Sequence, residues 1–205
     1  MNLTAVFEHW HLGDGNYPAL AVGDEARLSF ELDIQSIELV PPETPDAVAQ
    51  VRDAEYRITG RVIRRYDDGV GTTFAVLEAG WLRFYCPSAR AATLPVGSCV
   101  RLLGTLALDH YLWVEFLDRY PDPPNLFYNL RVARIRRVVI PERFVRRGPK
   151  SVSYPTCLPP ERYGPDGYEN VPVVEESEHG PAFSLIDFEL LPVGSGPERP
   201  TFVAP

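Results

Sequence analysis

Apolar and polar residues alternate in short runs along much of this 205-residue chain, and turn sequences separate the runs. The alternation is clearest in residues 57–66 and 81–86, and turns at Asp67-Asp68-Gly69 and Ala79-Gly80 bound the more apolar run 72–78 between them. Because successive side chains of a strand point to opposite faces, a period of two predicts half-buried strands. No stretch of helical length shows the 3.6-residue period of an amphipathic helix. We therefore predict an all-β, mainly antiparallel protein.

Five consecutive segments between residues 56 and 116 follow the strand pattern of a small barrel. RITGRVIRRYDDG predicts a long first strand that bends at Gly60, TTFAVLEAGWLRFYC predicts the second and third strands, and PSARAATLP is a connector. VGSCVRLLGTL predicts a fourth strand and HYLWVEF a fifth. This pattern resembles the OB-fold, and an SH3-like or split β-barrel is the competing interpretation. The resemblance implies a partly open barrel whose second and third strands commonly bind oligonucleotides or oligosaccharides.

Charge and proline content divide the chain into predicted segments. Residues 1–50 contain one Arg and nine acidic residues, residues 51–150 seventeen Lys or Arg and ten acidic residues, and residues 151–205 two Arg and nine acidic residues. The stretch PPETPDAV favours a linker, because proline disrupts regular structure. We predict an N-terminal acidic β unit (1–40), a Pro-rich linker (41–50), a basic β-barrel domain (51–148) and a Pro-rich extended acidic tail (149–205) that is partly docked.

The alternation also predicts an outward face of cations and aromatic rings on the barrel. If Leu82 and Phe84 point into the core, the residues on either side of them point outward. The predicted ligand-binding residues are Arg57, Arg61, Arg65, Trp81, Arg83, Tyr85, Tyr111, Trp113, Arg134 and Arg136. Rings that stack on bases beside cations that contact phosphates are what sequence-tolerant binding of single-stranded nucleic acid requires. Two alternatives stay open: residues 1–40 or the tail cover this face, or it binds a protein or peptide.

A second basic cluster, RVARIRRVVIPERFVRR, occupies residues 131–147. Blocks of like charge usually form a solvated face or pair with acids elsewhere in the fold, and Glu175, Glu176 and Glu178 of the tail could do that pairing. The resulting hypothesis is that the acidic tail lies on the basic barrel and competes with a polyanionic ligand. Residues 183–191 (FSLIDFELL) are expected to add an edge strand or to dock in a groove.

The stretch HWHLGDGNYP, residues 9–18, resembles part of a metal site. On a strand spanning residues 3–12, His9 and His11 would share a face, and an H-x-H pair can bind one metal ion. The candidates for further ligands are Asp14, Glu8 (on the opposite face), His110 and His179. The competing interpretation is a strand end and rim loop, with Trp10 in the core and both histidines near the surface.

Catalytic signatures are absent from the sequence, which has no G-x-S-x-G, H-E-x-x-H, P-loop or G-x-G-x-x-G motif. We therefore predict no catalytic residue and no cofactor. The predicted function is a non-catalytic β-barrel module that binds an anionic ligand, with single-stranded nucleic acid as the most testable case. One alternative is a protein-interaction module of adaptor, assembly-factor or toxin-neutralising type that uses the acidic N-terminal unit and tail. The other is an enzyme or metal-binding protein that uses His9 and His11.

Cysteine usage and hydropathy suggest a compartment. Three scattered cysteines without a C-x-x-C motif fit free thiols in a reducing environment better than a disulfide framework. No apolar run approaches the ~20 residues that a membrane helix needs, and the start MNLTAVFEHWHL lacks the features of a secretory signal. We expect a cytoplasmic protein without a membrane partner.

Overall fold

A computed structural model describes residues 2–13, 15, 17–67, 73–108, 122–138, 167–174 and 183–192. The elements in this part of the chain are β1 (Asn2–Glu8), α1 (Trp10–Gly13), β2 (Glu25–Ser29), β3 (Glu31–Leu39), β4 (Ala47–Arg52), β5 (Glu55–Asp67), β6 (Thr73–Ala79), β7 (Leu82–Cys86), α2 (Ala89–Thr93), β8 (Cys99–Ala107), β9 (Phe127–Val138), β10 (Tyr168–Val171) and β11 (Phe183–Leu190). The prediction of an all-β, mainly antiparallel fold is therefore confirmed. Neither of these short helices is long and apolar enough to cross a membrane.

The chain forms two compact units, which do not follow the sequence order. Unit 1 combines residues 1–26 with residues 129–205, and unit 2 comprises residues 27–128. Strand β3, which lies within the predicted N-terminal segment, is part of unit 2. Unit 2 carries ten Arg and fourteen acidic residues, so the positive balance of residues 51–150 comes from the arginines that follow residue 128.

Five strands of unit 2 close into a barrel. Around the barrel the order is β5, β6, β7, β3 and β8, and β8 pairs back with β5. Every pair is antiparallel except β3 and β7, which are parallel and meet where Glu31 lies opposite Tyr85. The predicted first four strands correspond to β5, β6, β7 and β8. The prediction of a small five-stranded barrel is therefore confirmed.

The strand that completes the barrel precedes the other four in the sequence. Residues 111–117, the predicted fifth strand, lie outside the described residues. The position between β7 and β8 is filled by β3, which pairs with β8 from Glu31 opposite Ala107 to Leu39 opposite Val100. Leu32 of β3 is fully buried, so β3 also contributes to the apolar interior.

The long strand β5 belongs to both halves of the barrel. Its first half pairs with β8, from Glu55 to Arg61, and its second half pairs with β6, from Arg61 to Asp67. At Gly60 the backbone of β6 comes so close that a Cβ atom would lie 2.4 Å from the carbonyl oxygen of Glu78. A residue without a side chain is therefore needed where β5 changes partners.

A second apolar cluster buries the outer face of the sheet formed by β5, β6 and β7. Tyr66, Phe74, Val76 and Tyr85 pack there with Leu126. Residues 122–128, which we call the strap, supply Leu126 to this cluster, with Phe127 packed against it. The sheet is thus apolar on both faces at this point, which explains why strand β6 reads as an almost continuous apolar run rather than an alternating one.

Strand β4 forms one edge of the unit 2 sheet. It lies within and just beyond the predicted linker, residues 41–50, and pairs only with β5 in the described part of the chain. Five of its six residues are exposed and Val48 is half-buried. Because β4 buries so little apolar surface, its hydrogen bonds to β5 are what hold it in place.

Unit 1 contains an antiparallel sheet in which β10, β9, β11 and β1 follow one another. The predicted tail strand is therefore an interior strand, β11, between β9 and β1, rather than an edge strand. The loop after α1 is attached to the segment after β10, because the amide of Val22 donates to Pro172 and the amide of Val174 donates to Leu20, at 2.8 and 2.9 Å.

Candidate anion-binding surface

A β-bulge decides which of the predicted arginines of β5 share a face. Arg57 and Arg61 lie four residues apart and both are exposed. Between Val62 and Arg64 the register with β6 shifts by one residue. A one-residue shift moves all later side chains to the other face. Arg65 therefore lies on the face of Val62, opposite Ala75, and the prediction that it shares a face with Arg57 and Arg61 is wrong.

Arg57 has small and apolar neighbours across the sheet. It lies opposite Ala49 of β4 on one side and opposite Leu103 of β8 on the other. Directly paired residues share a face, so the Arg57 side chain stands on the outer surface between these two. Within the described residues, Arg57 has no hydrogen bond and no ion pair. Its charge is therefore not neutralised there.

A pocket of about 350 Å³ opens beside Arg57 on the outer face of β3, β8 and β5. Its lining consists of Ser36, Ile37, Glu38, Arg57, Arg101, Leu102 and Leu103. Arg101 contacts Glu38 at 3.2 Å, and the two side chains are 45% and 63% exposed. An ion pair this exposed is weak, so Arg101 can exchange Glu38 for another anion. The pocket thus carries one surplus positive charge.

Arg61 holds its guanidinium against backbone carbonyls rather than carboxylates. It donates to Gly97 at 3.2 Å and to Pro42 at 3.3 Å. Its neighbour across the sheet is Glu78, but that carboxylate accepts a 2.7 Å hydrogen bond from Arg83. Arg61 therefore keeps its positive charge at the surface while its orientation is fixed.

The predicted row of Trp81, Arg83 and Tyr85 is not an open surface. Tyr85 is only 2% exposed because the strap covers it, so the prediction that it points to solvent is wrong. Arg83 is ion-paired with Glu78. Trp81, which is 46% exposed, is the member of this row that solvent reaches most easily. The face that the OB-fold resemblance assigned to ligand is thus largely covered by the chain's own strap.

Tyr128 fastens the end of the strap to β7. Its hydroxyl accepts a 2.6 Å hydrogen bond from the amide of Arg83 and lies 3.4 Å from the carbonyl oxygen of Trp81. The ring of Tyr128 also contacts the ring of Trp81 edge-on at 5.9 Å. Burial is the main cause that raises the pKa of Tyr128. The neutral hydroxyl can therefore act as both donor and acceptor.

The predicted site residues of the second basic cluster are paired within unit 1. Arg134 and Arg136 both contact Asp187 of β11, at 2.6 and 3.0 Å. Arg131 contacts Glu25 and Glu189, and Arg137 contacts Glu169. Carboxylates of the tail do neutralise this cluster, although Glu175, Glu176 and Glu178 lie outside the described residues. Arg136 and Asp187 form a largely buried ion pair, whereas the pairs of Arg131 and Arg137 are about as exposed as that of Arg101 and Glu38. This row therefore differs from Arg57 in that each of its cations already has a carboxylate partner.

Asp187 is shared by two of these ion pairs. Burial by itself acts to raise the pKa of Asp187. Hydrogen bonds from Thr4 and Arg134, together with the charge and hydrogen bond of Arg136, outweigh burial, so the pKa lies below its ordinary value. The carboxylate is ionised at neutral pH and holds β1, β9 and β11 together through side chains.

His9 and His11 do not lie on one face of a strand. Strand β1 ends at Glu8, and the chain then enters the helical turn α1, so the strand spacing that would align the two rings is absent. His9 is hydrogen-bonded to Ser184 at 2.9 Å. His11 is 1% exposed and contacts the rings of Phe7 and Tyr17. The predictions of a strand through residue 12 and of surface histidines are wrong.

The same turn also reverses the expected position of Trp10, which is 43% exposed rather than part of the core. In the part of the chain that the structure describes, no three His, Cys, Asp or Glu side chains come together as a metal site. Asp14, His110 and His179 lie outside that part. Cys86 is buried, and burial together with the charge of Glu31 raises the pKa of its thiol, so this cysteine stays protonated.

Two predicted aromatic residues, Tyr111 and Trp113, lie outside the described residues. Conversely, the sequence prediction did not include Arg101 and Leu103, which line the pocket. Alternation within residues 98–108 could have identified them, since Arg101 and Leu103 are two residues apart on a predicted strand and therefore share one face.

Comparisons of the chain with protein-family models, with curated proteins and with solved structures found no match.

Proposed function

We propose that unit 2 is a non-catalytic binding module with an OB-like barrel, and that it binds an anionic ligand on the outer face of β5 and β8. The observation that carries this proposal is Arg57, an exposed arginine beside a pocket, with no carboxylate partner among the described residues. Arg101, which lies on β8 opposite Thr59, and Arg61, four residues further along β5, supply further positive charge on the same face. The closed five-stranded barrel supports the OB-like assignment, with β3 in place of the predicted fifth strand.

Arginine is well suited to this role. Its planar guanidinium binds carboxylates and phosphates through two parallel hydrogen bonds. A volume of about 350 Å³ is at the small end of ligand sites, so it would hold one anionic group of a larger ligand. Leu103 and Ile37 would provide apolar contact beside that group. Because the surface is exposed, binding should weaken as salt concentration rises.

Single-stranded nucleic acid is the most testable anionic ligand. The test is fluorescence anisotropy with a labelled oligothymidylate at low and high salt, using the wild-type protein and the double variant Arg57→Gln/Arg101→Gln. We expect the variant to bind at least about tenfold more weakly. We also expect the slope of log K against log salt concentration to become less steep by about 0.7 for each phosphate contact removed. The matched control is Arg90→Gln, which removes an exposed arginine of α2 that does not line the pocket.

Equal binding by the wild type and the double variant would show that the ligand does not bind at Arg57. No oligonucleotide binding by the wild type at low salt would exclude nucleic acid as the ligand. Point substitutions are preferable to deleting residues 170–205, because that deletion removes β11 from between β9 and β1.

A cytoplasmic location is also part of this proposal, supported by the buried free thiols of Cys86 and Cys99.

A further inference from the structure

We propose that the anionic ligand is an acidic polypeptide segment that adds to the sheet as an extended strand along β4. This inference rests on the proposed function, because it uses Arg57 as the cation that recognises the ligand. It adds the chemical class of the partner and the way in which its backbone is held.

The first support is the edge of β4 that faces away from β5, along which no strand of the described residues pairs. An edge strand presents backbone N–H and C=O groups that can pair with an added strand. Proteins commonly protect such edges with lysine or proline, but residues 47–51 of β4 (AVAQV) contain neither and carry no charge. Prolines 41, 42 and 45 all precede the strand. The five residues from Ala47 to Val51 therefore form an uncharged stretch to which another strand can pair.

The second support is the register between β4 and β5. Ala49 lies directly opposite Arg57, and a strand added beside β4 would place one of its residues opposite Ala49. That residue would lie about 10 Å from Arg57, two strand spacings away. The side chain of Ala49 is too small to stand between them. A glutamate on the added strand could therefore reach across Ala49 to the guanidinium of Arg57.

The third support is the composition of the surface next to this edge. On the face of Arg57, the neighbouring residues are Ala47, Ala49, Glu55, Thr59, Arg101, Leu103 and Thr105. None of them is an aromatic residue on which a base could stack, and stacking is a major source of affinity for single-stranded nucleic acid. The absence of aromatic rings among these neighbours, the cation Arg57, and an edge of β4 with which no other described strand pairs favour an acidic peptide over an oligonucleotide.

Hydrogen exchange would test strand addition directly. The probes are the synthetic peptide TETETETE, its lysine counterpart TKTKTKTK, and an oligothymidylate. We expect TETETETE, but not TKTKTKTK, to slow exchange at alternate amides of residues 47–51, because only outward-pointing N–H groups gain a partner. Arg57→Gln should weaken TETETETE binding at least fivefold, whereas Arg90→Gln should not.

A pair of proline variants would test the edge itself. Consecutive residues of a strand direct their N–H groups to opposite edges, so one of Val48→Pro and Ala49→Pro removes only an outward donor. That variant can be recognised by an unfolding temperature close to wild type. We expect it to bind TETETETE at least fivefold more weakly although Arg57 is intact.

The outcomes separate the two proposals. Unchanged peptide binding by the stable proline variant, or peptide binding without slowed exchange in β4, would overturn strand addition and leave the anion-binding surface standing. Binding of oligothymidylate through Arg57 with no binding of TETETETE would do the same and identify nucleic acid as the ligand. If neither anionic probe binds, the proposed function is wrong as well.

Discussion

Two strands of this protein carry rows of arginine, and the rows have opposite surroundings. On β9, four arginines contact carboxylates: Arg131, Arg134, Arg136 and Arg137. On β5, Arg57 and Arg61 contact no carboxylate within the described residues, and Arg61 is held by carbonyl oxygens. A run of arginines in a sequence therefore has two meanings. It forms part of the fold where carboxylates of neighbouring strands contact it, and it is available to ligands where they do not.

Removing the shared carboxylate of the β9 row should have the largest effect on stability. Asp187→Ala takes a partner from Arg134, Arg136 and Thr4 at once, and the Asp187 side chain is only 14% exposed. Loss of one partner from a largely buried ionic network costs about 2–4 kcal/mol. Urea denaturation would measure this loss, with Glu169→Ala as the control for an exposed partner of Arg137, at about 1 kcal/mol or less. Equal effects of the two substitutions would show that the β9 row does not depend on Asp187.

The same carboxylate should make the stability of unit 1 sensitive to acid. Because the pKa of Asp187 is lower in the folded protein than in the unfolded chain, its ionised form stabilises the fold. This contribution is complete above the ordinary Asp pKa and is lost as pH falls through the lowered value. Urea midpoints between neutral pH and about pH 2 should fall less steeply for Asp187→Asn than for the wild type. Parallel curves for the two proteins would contradict the ionic account of the β9 row.

The strap distinguishes the outer face near Tyr85 from the outer face near Arg57. Tyr128→Phe removes the acceptor of the Arg83 amide and should cost about 1–2 kcal/mol, because that N–H loses a part-buried partner. If the strap is what keeps ligands from the β6–β7 face, acrylamide should also quench the fluorescence of Trp81 more readily in the variant than in the wild type. A stability change without a change in quenching would show that the strap stays in place without Tyr128.

Local pattern was sufficient to predict most of the barrel but not its closure. Strands β5, β6, β7 and β8 follow from alternation and turns in neighbouring residues. The place of β3 depends on pairing with strands more than forty residues away in the sequence, and it meets β7 through a single opposed pair, Glu31 and Tyr85. Local alternation carries no information on such long-range pairing.

The predicted site failed at two points for separate physical reasons. Arg65 changed face because a bulge adds one residue to β5 between Val62 and Arg64, and alternation assumes that no residue is added. Tyr85 was predicted to be exposed because the strand was considered without the segment that packs on it. Arg57 and Arg61 were predicted correctly as exposed, since they precede the bulge.

Among the residues substituted here, Arg57 should contribute least to the free energy of unfolding. This small contribution is the clearest expected difference between the arginines of β5 and those of β9. Because Arg57 has no hydrogen bond or ion pair within the described residues, Arg57→Gln should change the free energy of unfolding by less than about 0.5 kcal/mol. Arg134→Gln, a substitution of the same chemistry, removes a 2.6 Å contact with Asp187 and should cost about 1 kcal/mol. Urea denaturation of both variants in the same buffer makes the comparison. The order should be reversed for the binding of anionic probes, where Arg57→Gln weakens binding and Arg134→Gln does not. If Arg57→Gln destabilises the protein as much as Arg134→Gln, then Arg57 has a structural partner and the β5 row is no more available to a ligand than the β9 row.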